Sequence, residues 1–155
     1  MIIVVYTIVK RYIAAMFENC LYFNSNALAR TVSRIWTEAY RPFDLSPPHA
    51  FLLRLVLARP GLMPRELANE LSLSRSTVTR FLDSLEARGL LRRKATSEDG
   101  REVQVYPTRA ALVIQAPLDQ TGQNLSKEMA RIIGQDDLRQ VVGRLRNLQA
   151  RLERE

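Results

Sequence analysis

Between Pro64 and Tyr106, two short helical segments and two extended segments follow one another with only short turns between them. Pro64 opens the first helix, RELANEL, where a missing N–H does no harm, and it ends near Leu71. Ser72-Leu73-Ser74-Arg75 leads into the second helix, with Ser74 as its N-cap and Gly89 as its stop. Leu90 to Ala95 and Glu102 to Tyr106 then read as strands, the latter alternating through Val103 and Val105. Ser97-Glu98-Asp99-Gly100 has the turn chemistry that joins two strands into a hairpin. Helix, tight turn, helix and hairpin in this order make a winged helix-turn-helix.

The second helix divides cleanly between two faces. At about 100° per residue, Val78, Phe81, Leu82 and Leu85 fall in one arc, which must face a core. Ser76, Arg80, Asp83 and Ala87 occupy the opposite arc, with Thr79 at its edge and Thr77 marginal on the other side. Short hydroxyl side chains around an Arg suit a helix entering a major groove about 12 Å wide. The N-terminal part of such a helix reaches base edges, which selects Arg75, Ser76, Thr79 and Arg80. Taken alone, a solvated helix would show similar residues. The hairpin changes that balance: Arg92, Arg93 and Lys94 lie on its first strand and Arg101 just past the turn. A basic wing of this kind can follow the phosphate backbone and place an Arg in the minor groove.

Composition agrees with a polyanionic partner. The 155 residues carry a net charge of +7, and 20 of the 23 basic residues are Arg, whose planar fork matches phosphates and guanine edges. An Arg-rich proteome would raise the charge in the same way, so charge alone does not choose. One cysteine, Cys20, excludes an internal disulfide framework or a CxxC pair, and one histidine, His49, argues against a His-based metal site. Paired carboxylates, a Gly-rich phosphate loop and a Ser/His arrangement are also missing from the sequence, so no enzyme and no cofactor are expected. The apolar run over residues 2–9 is broken by Lys10 and Arg11, far short of the roughly 20 residues a membrane span needs. Residues 1–17 are left uninterpreted, with Met16 as an alternative start.

Helices flank the winged segment. From Glu18 to Tyr40, Leu21, Leu28, Val32, Ile35 and Ala39 form one stripe, ended by Pro42. Ser46 and Pro47 open a further helix that runs to Arg59-Pro60-Gly61. After the hairpin, Leu118, Leu125, Met129 and Ile132 share a helical face; Pro117 is expected to kink that helix or start a new one, and Gly134 to break it. Leu138, Val141, Leu145, Leu148 and Leu152 then form a heptad seam. By spacing alone the seam fits an intramolecular core helix as well as it fits a second chain.

The run LANELSLSRSTVTRFLDSLEARGLLRR over 67–93, EDGR over 98–101 and Thr108 resemble the MarR family of bacterial regulators. The stretch NCLYFNSNALARTVSRIWTEAYRPFDLSPPHAFLL over 19–53 is similar to that family's first two helices. The resemblance implies a mainly α fold with one small β-hairpin. Its winged helix-turn-helix, over residues 46–107, would sit between helical dimerisation regions at 18–45 and 108–155. It implies a homodimer that binds the two halves of a pseudo-palindromic operator in double-stranded DNA, usually as a repressor released by a small aromatic effector. It also implies a cytoplasmic, nucleoid-associated bacterial protein. Arg75, Ser76, Thr77, Thr79 and Arg80 match the family's recognition helix, Arg101 its wing arginine and Asp99 the acidic residue that orients the wing.

Three departures from the family stand out. Pro107 replaces a usual Leu at the end of the wing, and Met63 replaces a frequent Thr cap. The family's peroxide sensors place their reactive cysteine at the position of Tyr22, whereas Cys20 lies two residues earlier, about 200° around a helix. Trp36, Tyr40, Phe43 and His49 are the candidates for an effector pocket, with a plain core role as the alternative for the aromatics. Two other functions stay open at this level: a winged protein-interaction module such as an anti-repressor, and a thiol-based regulator working through Cys20.

Overall fold

The computed structural model describes residues 17–95 and 103–154. The chain divides between Glu38 and Ala39 into two units. The first helix, α1 (Leu21–Tyr40), lies mostly in the first unit. Its start is held by Asn24, whose side-chain amide donates to the carbonyls of Phe17, Glu18 and Cys20 at 3.0, 3.0 and 2.9 Å. Phe17 stacks on Phe23 with centroids 5.1 Å apart. Along the expected apolar stripe, Leu21 and Leu28 are exposed and Val32, Ile35 and Ala39 are half-buried. Cys20 directly precedes the helix, its carbonyl accepting the Asn24 N–H at 3.1 Å.

In the second unit, a 3-10 turn (Arg41–Phe43) leads to α2 (Pro47–Ala58), α3 (Pro64–Leu71), α4 (Arg75–Ala87), the strands β1 (Leu91–Ala95) and β2 (Val103–Pro107), α5 (Arg109–Ile133) and α6 (Gln135–Leu152). Helix α2 is the centre of the core: Ala50, Leu52, Leu53, Val56 and Leu57 are all buried, and the helix packs against α3, α4, β2 and α5. A helix apolar on most sides is stable only when neighbours cover it. Leu67 and Ala68 of α3, Leu91 of β1, Val105 of β2 and Leu118 of α5 complete that cover.

The ends of the helices follow from local chemistry. At α3, Met63 offers no side-chain cap, but the Glu66 carboxylate reaches back to accept the Met63 N–H at 2.7 Å, which makes half of a capping box. Ser72 closes α3 in the left-handed region, φ 51°, where a residue with a Cβ is disfavoured. At the end of α2, Gly61 takes φ 90°, and its N–H donates to the Val105 carbonyl at 2.8 Å. Leu62 then bridges Val105 in antiparallel fashion, adding a short third edge to the hairpin.

The hairpin is antiparallel, with Leu91 opposite Pro107, Arg93 opposite Val105 and Ala95 opposite Val103. Since strand side chains alternate, Leu91, Arg93 and Ala95 share one face and Arg92 and Lys94 the other. Pro107 closes the ladder, and the Thr108 N–H bonds to Leu90 at 3.1 Å. Thr108 also donates to the Gly89 carbonyl at 2.6 Å and caps α5 by accepting the Ala111 N–H at 3.3 Å. The departure at Pro107 therefore leaves the junction between wing and helix intact.

Helix α5 runs unbroken through Pro117, so the proline starts no new helix. Leu118, Leu125 and Met129 are buried as their spacing predicts, but Ile132 is exposed, lying one turn beyond the part of α5 that the core covers. Gly134, φ 94°, separates α5 from α6.

Candidate nucleic-acid interface

Helix α4 is held from beneath by Val78, Leu82 and Leu85, each at most 1% exposed. Phe81, half-buried on the same side, meets the His49 ring with centroids 4.5 Å apart. Arg75 at the first position of the helix, Ser76 and Arg80 on the opposite arc and Thr79 at its edge are exposed to solvent. Amphipathic spacing thus fixes which arc of the helix is free to meet a ligand. Ser74 caps the helix by accepting the Thr77 N–H at 3.1 Å. Its hydroxyl also lies 3.0 Å from that of Ser76 and 2.8 Å from that of half-buried Thr77. The cluster fixes the N-terminal turn that carries Arg75 and Ser76. Thr79 donates its hydroxyl to the Arg75 carbonyl at 3.0 Å, leaving its oxygen outward as an acceptor. Among the described residues, neither Arg75 nor Arg80 forms an ion pair.

The three basic residues of β1 part company. Arg92 and Lys94 are exposed, with the Arg92 guanidinium 5.9 Å from the ring centre of its cross-strand neighbour Tyr106. Arg93 faces inward and acts as a clamp. Its guanidinium lies 2.6 Å from Asp83 and 3.2 Å from Glu86, and donates to the Thr79 carbonyl at 3.3 Å. The Glu86 carboxylate also accepts the Arg93 N–H at 3.1 Å. Arg93, one of the basic residues expected to contact DNA, is held against α4 by two carboxylates in the free chain. The pattern that would have revealed this is the Asp83/Glu86 pair, three residues apart and so on one side of a helix. Asp99 and Arg101, the expected wing residues, lie outside the described residues.

Behind α4, Arg88 donates to the Phe43 carbonyl at 3.2 Å and pairs with Asp44 at 3.0 Å. Ser46, expected to cap α2 through its hydroxyl, directs it to Nδ1 of His49 at 2.6 Å and makes no bond to the helix backbone. Nε2 of His49 is buried with no hydrogen-bond partner among the described residues. Burial, and then the positive charge of Arg88, lower the pKa of this imidazole below its ordinary value. A group that is harder to protonate when folded contributes stability that is complete above its unfolded pKa, about 6.5. That contribution is lost as pH falls through the lowered folded value. The wild type is therefore expected to lose more melting temperature between pH 7.5 and 5.5 than His49→Gln does, a difference thermal scans of the two proteins would show. Equal losses would remove His49 from the account.

Of the four effector-pocket candidates, Tyr40, Phe43 and His49 lie in the second unit and Trp36 in the first. Tyr40 is fully buried and meets Phe51 edge-on, centroids 6.2 Å apart. Phe43 and His49 are half-buried in the same unit, and Trp36 is half-buried in the first unit. An open depression of about 380 Å³ is lined by Arg59, Glu66, Asn69 and Glu70, a charged wall unsuited to an aromatic guest. Cys20 is half-buried and free. No group of His, Cys, Asp and Glu among the described residues could hold a metal ion, and no described helix is long and apolar enough to cross a membrane.

Residues 45–103 match the model of the MarR family. No curated protein matches the sequence. Among solved structures, the chain is similar to the transcriptional repressor CouR bound to a 23-mer DNA duplex, with TM-score 0.78, 21% identity, and coverage of 88% of this chain and 96% of that one. It is similar to MepR of S. aureus in a complex with DNA, with TM-score 0.77 and 15% identity over 87% of this chain and 99% of that one. It also resembles the regulator PcaV of Streptomyces coelicolor in complex with its natural ligand, with TM-score 0.69 and 21% identity over 79% and 89%. At such identities the likeness establishes a shared fold.

Proposed function

We propose that this chain, which carries a MarR-family domain over residues 45–103, is a sequence-specific DNA-binding transcriptional regulator rather than an enzyme. It acts as a homodimer on a pseudo-palindromic operator in the cytoplasm, and as a repressor that a small aromatic effector releases. The observation that carries this reading is the exposed N-terminal half of α4. Arg75, Ser76, Thr79 and Arg80 stand exposed on a helix that Val78, Leu82 and Leu85 anchor from behind. Arg92 and Lys94 of the wing, with Arg101, supply phosphate and minor-groove contacts. Thr77 belongs to the cap that holds the N-terminus of the reading helix, and Arg93 positions the wing through Asp83 and Glu86.

Two relatives of the same fold are described as complexes with DNA and one as a complex with its natural ligand, which supports both halves of the reading. A salt titration of DNA binding separates it from a winged protein-interaction module. Each phosphate contact releases counterions, so log K should fall steeply and linearly with log salt, by about 0.9 per phosphate neutralised. Absent or salt-insensitive binding favours the protein-contact alternative. Arg80→Ala is expected to cost about 1–3 kcal/mol on the operator and much less on random DNA, if Arg80 reads a guanine. Equal losses on both would make Arg80 a phosphate contact only. For the thiol reading, peroxide treatment of wild type and Cys20→Ser decides: identical DNA release by both removes Cys20 from regulation.

A further inference from the structure

The ion pair between α2 and α5 has no part in the reading surface, yet it lies where the DNA-reading half of the second unit meets the long helix behind it. Arg54 of α2 places Nε 2.8 Å from the Asp119 carboxylate of α5. One turn further along α5 stands Gly122, and the guanidinium lies on it. A Cβ at Gly122 would fall 2.8 Å from Cζ and 3.0 Å from Nη2 of Arg54, and closer still to Nη1. The guanidinium could not lie where it does over any residue with a side chain. Burial opposes the Arg54 charge, but its pKa is raised, the hydrogen bond and charge of Asp119 working against that burial. Leu53 and Leu118, next to the two partners, are fully buried, so the pair sits at the margin of a dry contact. Apolar surfaces slide over one another at little cost, whereas a charge-assisted hydrogen bond has a preferred direction.

We propose that Arg54, Asp119 and Gly122 form the joint that fixes the angle between the DNA-reading half and α5. In the dimer, the joint thereby sets the half-site spacing the protein accepts. The second clause rests on the regulatory reading above; the first does not. Arg54 and Asp119 are positioning residues, and neither belongs to the face that α4 presents to DNA.

Two variants test the joint. Gly122→Ala displaces Arg54 from its seat while improving helix propensity, so the fold should survive. Asp119→Asn removes the charge of the pair. Spin labels at cysteines introduced for the exposed residues Ala87 of α4 and Lys127 of α5, in a Cys20→Ser background diluted with unlabelled protein, report the angle without DNA. The expected result is a narrow distance distribution with the native joint and a shifted or broadened one in both variants, at near-native melting temperature. On DNA, both variants should lose about tenfold on the operator of native spacing and recover altered spacings in selection from random sequence, while single half-sites bind as before. Unchanged label distances in both variants would overturn the joint whatever happens on DNA. Shifted distances with unchanged operator spacing would overturn its role in setting that spacing. Failure of the native protein to select any two-fold site would sink the regulatory reading but leave the label result standing.

Discussion

Replacing Leu145 by Glu is expected to split the proposed dimer and to weaken operator binding by at least about a hundredfold. Helix α6 has no buried residue in the single chain. Val141, Leu145 and Leu152 of the heptad seam are 42, 46 and 61% exposed, with Val142 beside them at 47%. Leu138 and Leu148 of the seam are half-buried, so in the single chain the stripe is covered only in part. Uncovered apolar area is stabilised by about 25 cal/mol for each Å² removed from water, and a second copy of the same stripe supplies complementary knobs. A carboxylate in the middle of that contact would be desolvated without a partner. Splitting the dimer makes the second α4 an independent ligand, so the gain from tethering two half-site contacts disappears. Sedimentation equilibrium with a parallel operator titration checks both parts. A persistent dimer would place the interface elsewhere.

The second large effect concerns the core under the reading helix. Leu82→Ala should lower unfolding stability by about 2–5 kcal/mol, the range for a buried Leu whose surroundings only partly collapse. Leu82 is 1% exposed and lies between Val78 and Leu85, both fully buried. Helix α4 packs on α2, α3 and β1, so the cavity would open where several elements meet. Denaturant melts would measure the loss. A change well under 1 kcal/mol would mean that α4 is not seated as described. Far from the core, substitutions at Arg75 or Arg80 should leave stability nearly unchanged, which separates damage to the helix from damage to its contacts.

Much of this was readable in the chain itself because it depends on periodicity and local chemistry. The spacing of Val78, Leu82 and Leu85 identified the buried side of α4, and Ser74 and Gly89 marked its ends. Alternation through Val103 and Val105 found the second wing strand. What escaped were interactions between residues distant in sequence. Arg93 reads as one more wing cation because the Asp83/Glu86 pair, visible as two carboxylates on one side of a helix, does not say which cation lies across from it. Arg54 and Asp119, 65 positions apart, carry no common local signal, and Gly122 reads as an ordinary helix weakener until the guanidinium above it is seen. Ser46 was a sound choice of N-cap by type, but His49 three residues later offers its hydroxyl a competing partner. Of the two outcomes open at Pro117, a kink or a new helix, the second does not occur: the proline removes a hydrogen bond, yet α5 continues, with Ala111, Leu118 and Leu125 buried on either side.

Selection of bound sequences from random DNA by the native protein tests the central claim most directly. Two copies of α4 in successive major grooves should recover a two-fold motif with half-sites about one helical turn apart. Recovery of no motif, or of a single asymmetric half, would contradict it.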